Sequence, residues 1–352
     1  MKRPFLFLLL LLFPFVSTGF ESKSNASDST GLRATDWSDV LPHTGEGSYY
    51  NEFWMYHLFL EDDLHLHMTF SMANFGTFKS AVSGGKLFVS NFKGRNYHVS
   101  REFTLERLDI DKENHVFRLH DGRDIWFSGE LPHEHRVYFE TSKDGVSYLV
   151  DLNFFDIEPG FAYGSGVLNV GGDDMGMYFH IPKARVKGTV AINDDTLSVE
   201  GTAYMDHTYQ TDLSSKIVDK SLRYVSHSDD GFIAGYYLIP KKRSERPVIG
   251  LSVEKNNDGF TVRHPVELSI QKESSISGKR VPEIVKITYK DGFTRSFQRE
   301  NHFQDVSFLE EVSGLRKRLV RSFLGGEIIE YVGTGSIDNG STPVNYNLLI
   351  VH

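Results

Sequence analysis

The sequence contains no cysteine, so the chain forms no disulfides. The same absence excludes anchoring to a membrane through a lipid-modified N-terminal cysteine. Basic residues are also fewer than acidic ones: the sequence has 38 lysines and arginines and 47 aspartates and glutamates, and the formal net charge is −9. Because nucleic-acid phosphates require a basic face, we expect no nucleic-acid partner.

Long apolar runs are lacking except at the start of the chain. Lys2 and Arg3 precede an apolar run over residues 5–16. This order is typical of a secretory signal peptide at residues 1–19, and the run is shorter than the ~20 residues of a membrane span. We therefore expect an exported protein, periplasmic or secreted, and the lack of cysteine favours a bacterial periplasm. The Ser, Asp, Thr and Gly of residues 20–45 predict a flexible lead.

Aromatic residues are abundant, with 27 Phe and 16 Tyr, and supply ample material for hydrophobic cores. From Tyr49 onward, short stretches that alternate apolar and polar residues, such as residues 64–75, are separated by turns such as Asp121-Gly122. Such alternation is typical of a strand with one buried face, and Asp-Gly between two strands is typical of a hairpin. Strands at this regular spacing predict an all-β sandwich or barrel and argue against βαβ units.

The order of these turns and strands occurs twice. An acidic hairpin, a second hairpin, a single strand and an Asp-Gly hairpin follow one another around residues 61–122 and again around residues 229–292. The nearly constant offset indicates a diverged duplication of one β-unit. A unit of about eight strands closes into a barrel just wide enough for one small ligand. We therefore predict two barrels, at residues 46–193 and 194–352.

One amphipathic helix is predicted near the C-terminus. Ser307 and Glu310 form a capping box, and apolar residues from Leu309 to Phe323 fall on one face. Four basic residues lie in its second half. The helix can pack on a barrel wall, where these cations offset the helix dipole, or its basic end can meet anionic lipid headgroups. The second alternative would give the protein a peripheral membrane contact.

A stretch at residues 199–212 places two ionisable side chains, Asp206 and His207, between Tyr204 and Tyr209. Because neighbours in a strand point to opposite faces, Asp206 should share a face with Tyr204, and His207 with Tyr209. Both can serve one site only where two layers meet or where the strand bends. The pattern predicts a pocket at a junction; the alternative is a strand-end turn with an exposed charge.

The residues around this stretch also resemble a known family. Arg185-Val-Lys-Gly-Thr-Val and the following Val199-Glu-Gly-Thr-Ala-Tyr-Met-Asp-His-Thr-Tyr are similar to the signature of the carotenoid hydratase (hydroxyneurosporene synthase) and AttH-type superfamily. Proteins of that superfamily are tandem lipocalin-like barrels. The fungal survival-factor family, which binds ceramide-like lipids, has a similar double-barrel plan. The resemblance implies two lipocalin-like barrels with a hydrophobic ligand pocket at or between them.

The resemblance also implies roles for particular residues. In the enzymatic members, an acid near this motif protonates an alkene so that water can add or a ring can close. Asp206 would be this acid, with a pKa raised by an apolar pocket. His207 would orient the acid or position water, and Tyr204, Met205 and Tyr209 would contact the ligand. Neither the motif nor the chemistry calls for a cofactor.

Two other groups of residues offer different chemistry. The pairs His65/His67 and His133/His135 each place two imidazoles on one strand face, as zinc and copper sites do, with His57 and His43 also available. The alternative, which we adopt, is that they are ordinary strand histidines without a metal. Residues 226–229, Ser-His-Ser-Asp, lack the strand–elbow–helix setting of a serine nucleophile and are read as a turn.

Taken together, these patterns predict an exported protein that binds a lipid or isoprenoid near the junction of two barrels. The first alternative is an acid-catalysed hydratase or cyclase of an isoprenoid-like alkene that uses Asp206. The second alternative is an envelope structural or interaction protein without a ligand.

Overall fold

The computed structural model describes residues 30–44, 49–76, 80–120, 124–241, 247–307, 321 and 325–352. The predicted all-β class is confirmed, since these residues form 22 strands in two antiparallel sheets and only short helical segments. No helix of this part of the chain is long and apolar enough to cross a membrane. The predicted signal peptide and nearly all of the predicted C-terminal helix lie outside the described residues.

The larger sheet has 13 strands. They are β1 Leu32–Ala34, β2 Tyr49–Leu60, β3 His65–Phe75, β4 Val82–Phe92, β5 Arg95–Thr104, β6 Leu108–Asp111, β7 Val116–His120, β8 Asp124–Ser128, β9 His135–Lys143, β10 Val146–Phe155, β11 Phe161–Val170, β12 Asp173–Ile192 and β13 Asp195–Gln210. Its main path runs β5-β4-β3-β2-β13-β12-β10-β9-β8-β7-β6, and β11 joins β12 and β1 beside it. The early strand β2 pairs with the last strand β13, so the sheet curls on itself.

The smaller sheet has nine strands. They are β14 Val218–Ser228, β15 Gly231–Pro240, β16 Ile249–Asn256, β17 Gly259–Arg263, β18 Pro265–Ile276, β19 Lys279–Tyr289, β20 Thr294–Ser307, β21 Ile328–Ile337 and β22 Thr342–Val351. The order is β17-β16-β15-β14-β22-β21-β20-β19-β18, so here too the first strand pairs with the last. The shared plan agrees with the predicted duplication; the larger sheet differs by the additional hairpin β9–β10 and by β1 and β11.

The chain changes sheet later than the sequence suggested. The boundary expected between residues 193 and 194 falls in the tight turn between β12 and β13, where Asn193 has a φ of +53°. Both strands belong to the larger sheet, and they pair from Ile192↔Asp195 to Met175↔Gln210. The chain enters the smaller sheet at Val218, after the short helix α2, Ser214–Ile217. Because the hairpin of β12 and β13 is long, its turn lies far from the point at which the chain enters the smaller sheet.

Residues 30–44, expected to belong to a flexible lead, are folded onto the larger sheet. Strand β1 pairs with β11. Helix α1, Trp37–Val40, is held by a capping box, in which Asp36 accepts from the amide of Ser38 at 2.8 Å and Asp39 accepts from the amide of Asp36 at 3.0 Å. The polar residues that suggested disorder therefore cap a helix.

Three hydrophobic clusters stabilise the two sheets and their packing against each other. One fills the larger barrel with rings such as Trp54, Phe70 and Phe127, and another fills the smaller barrel around Tyr224. The third joins the sheets, with members that include Phe161, Phe179 and Tyr204 from the larger sheet and Val225, Phe232 and Leu251 from the smaller. The two barrels therefore pack against each other through their outer faces, and side chains fill their interiors.

Candidate functional site between the barrels

Strand β13 places Asp206 and His207 on opposite faces, as its alternation requires. The Tyr204 hydroxyl donates a hydrogen bond of 2.8 Å to Asp206 Oδ2 on the face toward the smaller sheet. His207 lies on the other face, with its ring 6.5 Å from that of Tyr209. The two shared faces are those expected from the sequence, but Asp206 and His207 do not converge on one site.

Asp206 is buried at the junction, with 1% of its surface exposed. Arg223 of β14 brings Nε to 2.9 Å from Asp206 Oδ2, and Oδ1 has no hydrogen-bond partner among the described residues. Burial raises the pKa of Asp206, while the charge of Arg223 and the Tyr204 hydrogen bond oppose the shift. The raised pKa is the one expected of an acid in an apolar pocket. The sequence did not predict Arg223 as the cationic partner of Asp206.

Arg223 is the central cation of the junction. Its guanidinium lies over the Tyr236 ring, 4.6 Å from the centroid, and Nη1 donates to Met55 Sδ at 2.6 Å. Nε, although close to Asp206, is not in hydrogen-bond geometry. Among the described residues no oxygen accepts a hydrogen bond from this side chain, which is only 4% exposed. A guanidinium has five N–H donors, so most of its capacity is unused.

A second group of charged residues, on β3, β4 and β21, lies beside Arg223. The Glu330 carboxylate is paired with Lys86, accepts from Asn347, and lies 3.4 Å from His67 Nε2. Burial opposes its ionisation, but Lys86 and His67 hold the pKa of Glu330 well below its ordinary value. His57 Nδ1 lies 3.4 Å from His67 Nδ1, and burial lowers the pKa of both imidazoles. Glu330 is therefore an ionised anion next to neutral histidines.

His207 lies inside the larger barrel and contacts the N-terminal segment. Its Nδ1 is 2.9 Å from the Asp39 carbonyl oxygen, and its Nε2 is 2.7 Å from Glu52 Oε1. Because both partners are acceptors, both ring nitrogens are positioned to donate a hydrogen bond. Burial opposes ionisation of Glu52, yet its bonds to His207 and to residues 43 and 44 hold the pKa of Glu52 below its ordinary value. This ion pair is wholly buried, and Trp54 stacks on the His207 ring at 4.5 Å.

These contacts hold the N-terminal segment against the barrel. The Trp54 indole donates to the Val40 carbonyl at 2.8 Å, and Arg33 binds the Asp39 carboxylate with two hydrogen bonds of 2.8 and 2.6 Å. Val40 is 1% exposed. The position of His207 thus indicates a structural role, and the expectation that it orients the acid or positions water does not fit this geometry.

A cavity of about 470 Å³ lies between the outer faces of the two sheets. Its apolar lining includes Phe53, Met55 and Leu349, and its charged lining includes Arg223, Lys86 and Glu330. A volume of this size suits one small organic ligand. The cavity is formed by β2–β5, the β9–β10 hairpin and β13 on one side and by α2, β14, β15 and β20–β22 on the other.

None of the five side chains expected to form the site lines this cavity. Tyr204 and Asp206 lie at the junction, and Asp206 is connected to the cavity through Arg223. Met205 packs inside the larger barrel, and Tyr209 packs against Tyr178 away from the cavity.

The sequence analysis missed the charged lining residues of the cavity. Arg223 follows Ser221-Leu222 and precedes Tyr224-Val225, and Glu330 stands between two isoleucines and Tyr331. A single charge within a short apolar run of a strand indicates a buried partner, because an isolated buried charge is costly. This signal was present in both strands.

The histidines considered as metal ligands have other partners. His65 stacks on Phe303 at 5.2 Å, and His135 Nε2 lies 2.9 Å from the Tyr56 hydroxyl. His133 is exposed in a turn, whereas His135 is buried. Within the described ranges, no three His, Cys, Asp or Glu side chains are grouped so that they could hold an ion.

Comparison with known proteins gives a likeness of fold. No protein-family model matches the sequence, and no curated protein matches it. Among solved structures, an AttH-type protein of Nitrosomonas europaea is similar with a TM-score of 0.64 and 13% identity, over 90% of this chain and 97% of that one. Kievitone hydratase of Nectria haematococca gives a TM-score of 0.57 and 11% identity, over 92% and 94% of the two chains.

A third similar structure is CghA, solved with Sch210972, with a TM-score of 0.57 and 10% identity over 91% of this chain and 97% of that one. At these identities the likeness concerns the fold alone. The expected AttH-type fold is confirmed in this sense, and the closer relation to carotenoid hydratase stays a prediction.

Proposed function

We propose that this protein is exported and holds one hydrophobic small molecule, a lipid or isoprenoid, in the cavity between its barrels. The observation that carries the proposal is the cavity of about 470 Å³, which combines apolar walls with a few buried charged groups. Ligand sites are commonly apolar clefts in which a few polar groups fix the orientation of the ligand. The predicted signal at residues 1–19 and the predicted basic helix, which would contact a lipid surface, are part of the same proposal.

The first test is native mass spectrometry of protein purified from its own host, with extraction and identification of any carried molecule. A matched pair of variants connects the ligand to the cavity. Ser71 lines the cavity, whereas Ser198 is exposed at the far end of β13. Ser71→Leu should displace the carried molecule because the larger side chain occupies its space, and Ser198→Leu should retain it. An unliganded mass for the unaltered protein, with no affinity for lipids extracted from the host, would contradict the proposal.

A second candidate function is acid-catalysed hydration or cyclisation of an isoprenoid-like alkene. It is supported by a buried carboxyl whose pKa is raised and whose Oδ1 is unpartnered, and by the fold shared with a protein named as a hydratase. In hydration, Asp206 would protonate one alkene carbon, water would add to the resulting cation, and a proton would return to the carboxylate. Glu330 is unsuited to this step because its lowered pKa keeps it ionised.

This candidate requires Arg223 to move aside, since Asp206 does not line the cavity. It can be tested without a known substrate, by incubating the protein with isoprenoid alkenes in ¹⁸O-labelled water. Hydration would add one labelled oxygen to a product. Asp206→Asn should abolish that product in protein that circular dichroism shows to be folded, although the unpaired Arg223 lowers its stability. Turnover that persists in Asp206→Asn would remove Asp206 as the acid.

A further inference from the structure

The unused hydrogen-bond donors of Arg223 point to the chemistry of the ligand. In folded proteins, buried polar groups almost always have hydrogen-bond partners, and a buried guanidinium without an oxygen partner calls for an explanation. Here the guanidinium is 4% exposed, yet among the described residues its only hydrogen-bond acceptor is the Met55 thioether, a weak one. Asp206 balances its charge at 2.9 Å without accepting a hydrogen bond in good geometry.

The guanidinium is also held in place. The Tyr236 ring lies beneath it at 4.6 Å, and Met55 and Asp206 contact two of its nitrogens. Stacking of this kind keeps the planar group oriented before a ligand arrives, which lowers the entropic cost of binding. Because Arg223 lines the cavity, a ligand there can reach it.

The lining of the cavity carries slightly more positive than negative charge, and Asp206, which does not line the cavity, balances Arg223 from behind. Among its described lining residues, four carry a positive charge and three a negative charge. Lys86 is already engaged by Glu330, so Arg223 is the buried cation with unused donors. A guanidinium matches a carboxylate with two parallel hydrogen bonds. A phosphate carries more charge and would be more costly to bury in a cavity with apolar walls.

We propose that the ligand of this cavity carries a carboxylate on an apolar body, and that Arg223 binds the carboxylate. This inference rests on the proposed function, since it names the chemical class of the molecule held between the barrels. The apolar body packs against the wall that contains Phe53, Met55 and Leu349. Arg223 is then a specificity-determining residue, because it separates acids from neutral molecules of equal length.

The experiment compares two probes of the same chain length, dodecanoic acid and methyl dodecanoate, by titration calorimetry with the delipidated full chain. The acid should bind about tenfold or more tightly than the ester, which corresponds to a charge-assisted hydrogen-bonded pair. Arg223→Gln should reduce the affinity for the acid to about that for the ester, and should change the affinity for the ester by less than about twofold. The matched control is Arg136→Gln, since Arg136 also binds an aspartate, Asp151, at 2.9 Å but is exposed and does not line the cavity.

Removal of Arg223 leaves Asp206 without its cation and can lower stability. The double variant Asp206→Asn/Arg223→Gln removes both charges and should show the same loss of preference for the acid. Equal affinities for acid and ester in the unaltered protein, or equal losses for both probes in these variants, would overturn the inference and leave the proposed function standing. Failure of both probes to bind the unaltered protein would overturn the inference. Together with a lack of affinity for lipids extracted from the host, it would overturn the proposed function as well.

Discussion

At the scale of single residues, two side chains that are adjacent in the chain have different tasks. Asp206 faces the second sheet and is paired with Arg223, whereas His207 faces the barrel interior and is paired with Glu52. A charged pair removed from water is stable only if both partners are present, because either one alone is a buried unpaired charge. Adjacent positions in the chain therefore do not indicate a common function.

The ion pair between His207 and Glu52 should contribute to stability and not to ligand binding. Glu52→Gln and His207→Gln should each lower the free energy of unfolding by about 3 kcal/mol, because each leaves a buried charge without its partner. Urea denaturation measures this loss. The double variant should lose less than the sum of the two single variants, since the two side chains interact directly.

Ligand affinity provides the control for this prediction. Neither side chain lines the cavity, so both variants should bind a cavity ligand with an affinity close to that of the unaltered protein. A strictly additive double variant, or a selective loss of ligand binding, would contradict a structural role for His207.

At the scale of elements, the N-terminal segment completes the larger barrel. Strand β1 extends the sheet beside β11, and helix α1 places Val40 over the barrel, where Trp54 donates to its carbonyl at 2.8 Å. The segment is short, and α1 has four residues, so it is stabilised by these tertiary contacts and not by intrinsic helix propensity. Its stability therefore depends on a few buried side chains.

Val40→Ala should loosen this segment. The side chain is 1% exposed, and removing two methyl groups should lower the free energy of unfolding by about 2 kcal/mol. Hydrogen exchange of the Trp54 indole should accelerate, because the bond to the Val40 carbonyl opens more often. Val266→Ala is the matched control, since Val266 is 45% exposed and should change stability by less than about 0.5 kcal/mol. Equal effects at the two positions would show that α1 does not close the barrel.

How much of this arrangement was predictable depends on the distance between partners along the chain. Strands and hairpin turns follow local patterns, such as the alternation at residues 64–75, and the face shared by Tyr204 and Asp206 follows from strand geometry. The partner of Asp206 is a residue of the next sheet, and that of His207 lies 155 positions away. No local pattern specifies such pairs, because they depend on how the two sheets pack.

At the scale of the whole molecule, buried histidines determine the response to acid. Burial lowers the pKa of His227 from 6.5 to about 4 and that of His135 to about 3. Folded protein keeps both neutral, while the unfolded chain takes up protons below pH 6.5, so stability is lost as the pH falls from 6.5 toward these values. Glu52 and Glu330, with lowered pKa values, add to the loss only below about pH 4.5. Asp206, with a pKa raised from 3.8, has the opposite effect, and it acts between that raised pKa and pH 3.8.

The free energy of unfolding should therefore decrease between pH 7 and pH 5. His227 should account for at most about 3 kcal/mol of the decrease that is reached by pH 4. His227→Asn should lower stability at pH 7, because the bonds to Thr202 and to the Pro182 carbonyl at 2.8 and 3.0 Å are weakened. The same variant should show a smaller decrease toward pH 5, as measured by urea titrations at both pH values. An unchanged pH dependence would show that the pKa of His227 is not lowered in the folded protein.

The two barrels should unfold together, because the third hydrophobic cluster draws side chains from both sheets. All three tryptophans, at positions 37, 54 and 126, belong to the larger-barrel half, so their fluorescence reports on that half alone. Circular dichroism in the far ultraviolet reports on both sheets. The two signals should give one coincident urea transition, as expected when the cluster couples the halves.

Phe232→Ala tests this coupling directly. Phe232, on the smaller sheet, is 2% exposed and stacks on Phe161 of the larger sheet at 6.0 Å. Its truncation should lower the free energy of unfolding by about 3 kcal/mol. The unfolding transition followed by tryptophan fluorescence should move to a lower urea concentration, although no tryptophan lies in the smaller sheet. Phe293→Ala, at a position 38% exposed, should leave that transition nearly unchanged. If Phe232→Ala shifted only the circular dichroism signal, the barrels would be independent folding units, and the cavity between them would depend on their docking alone.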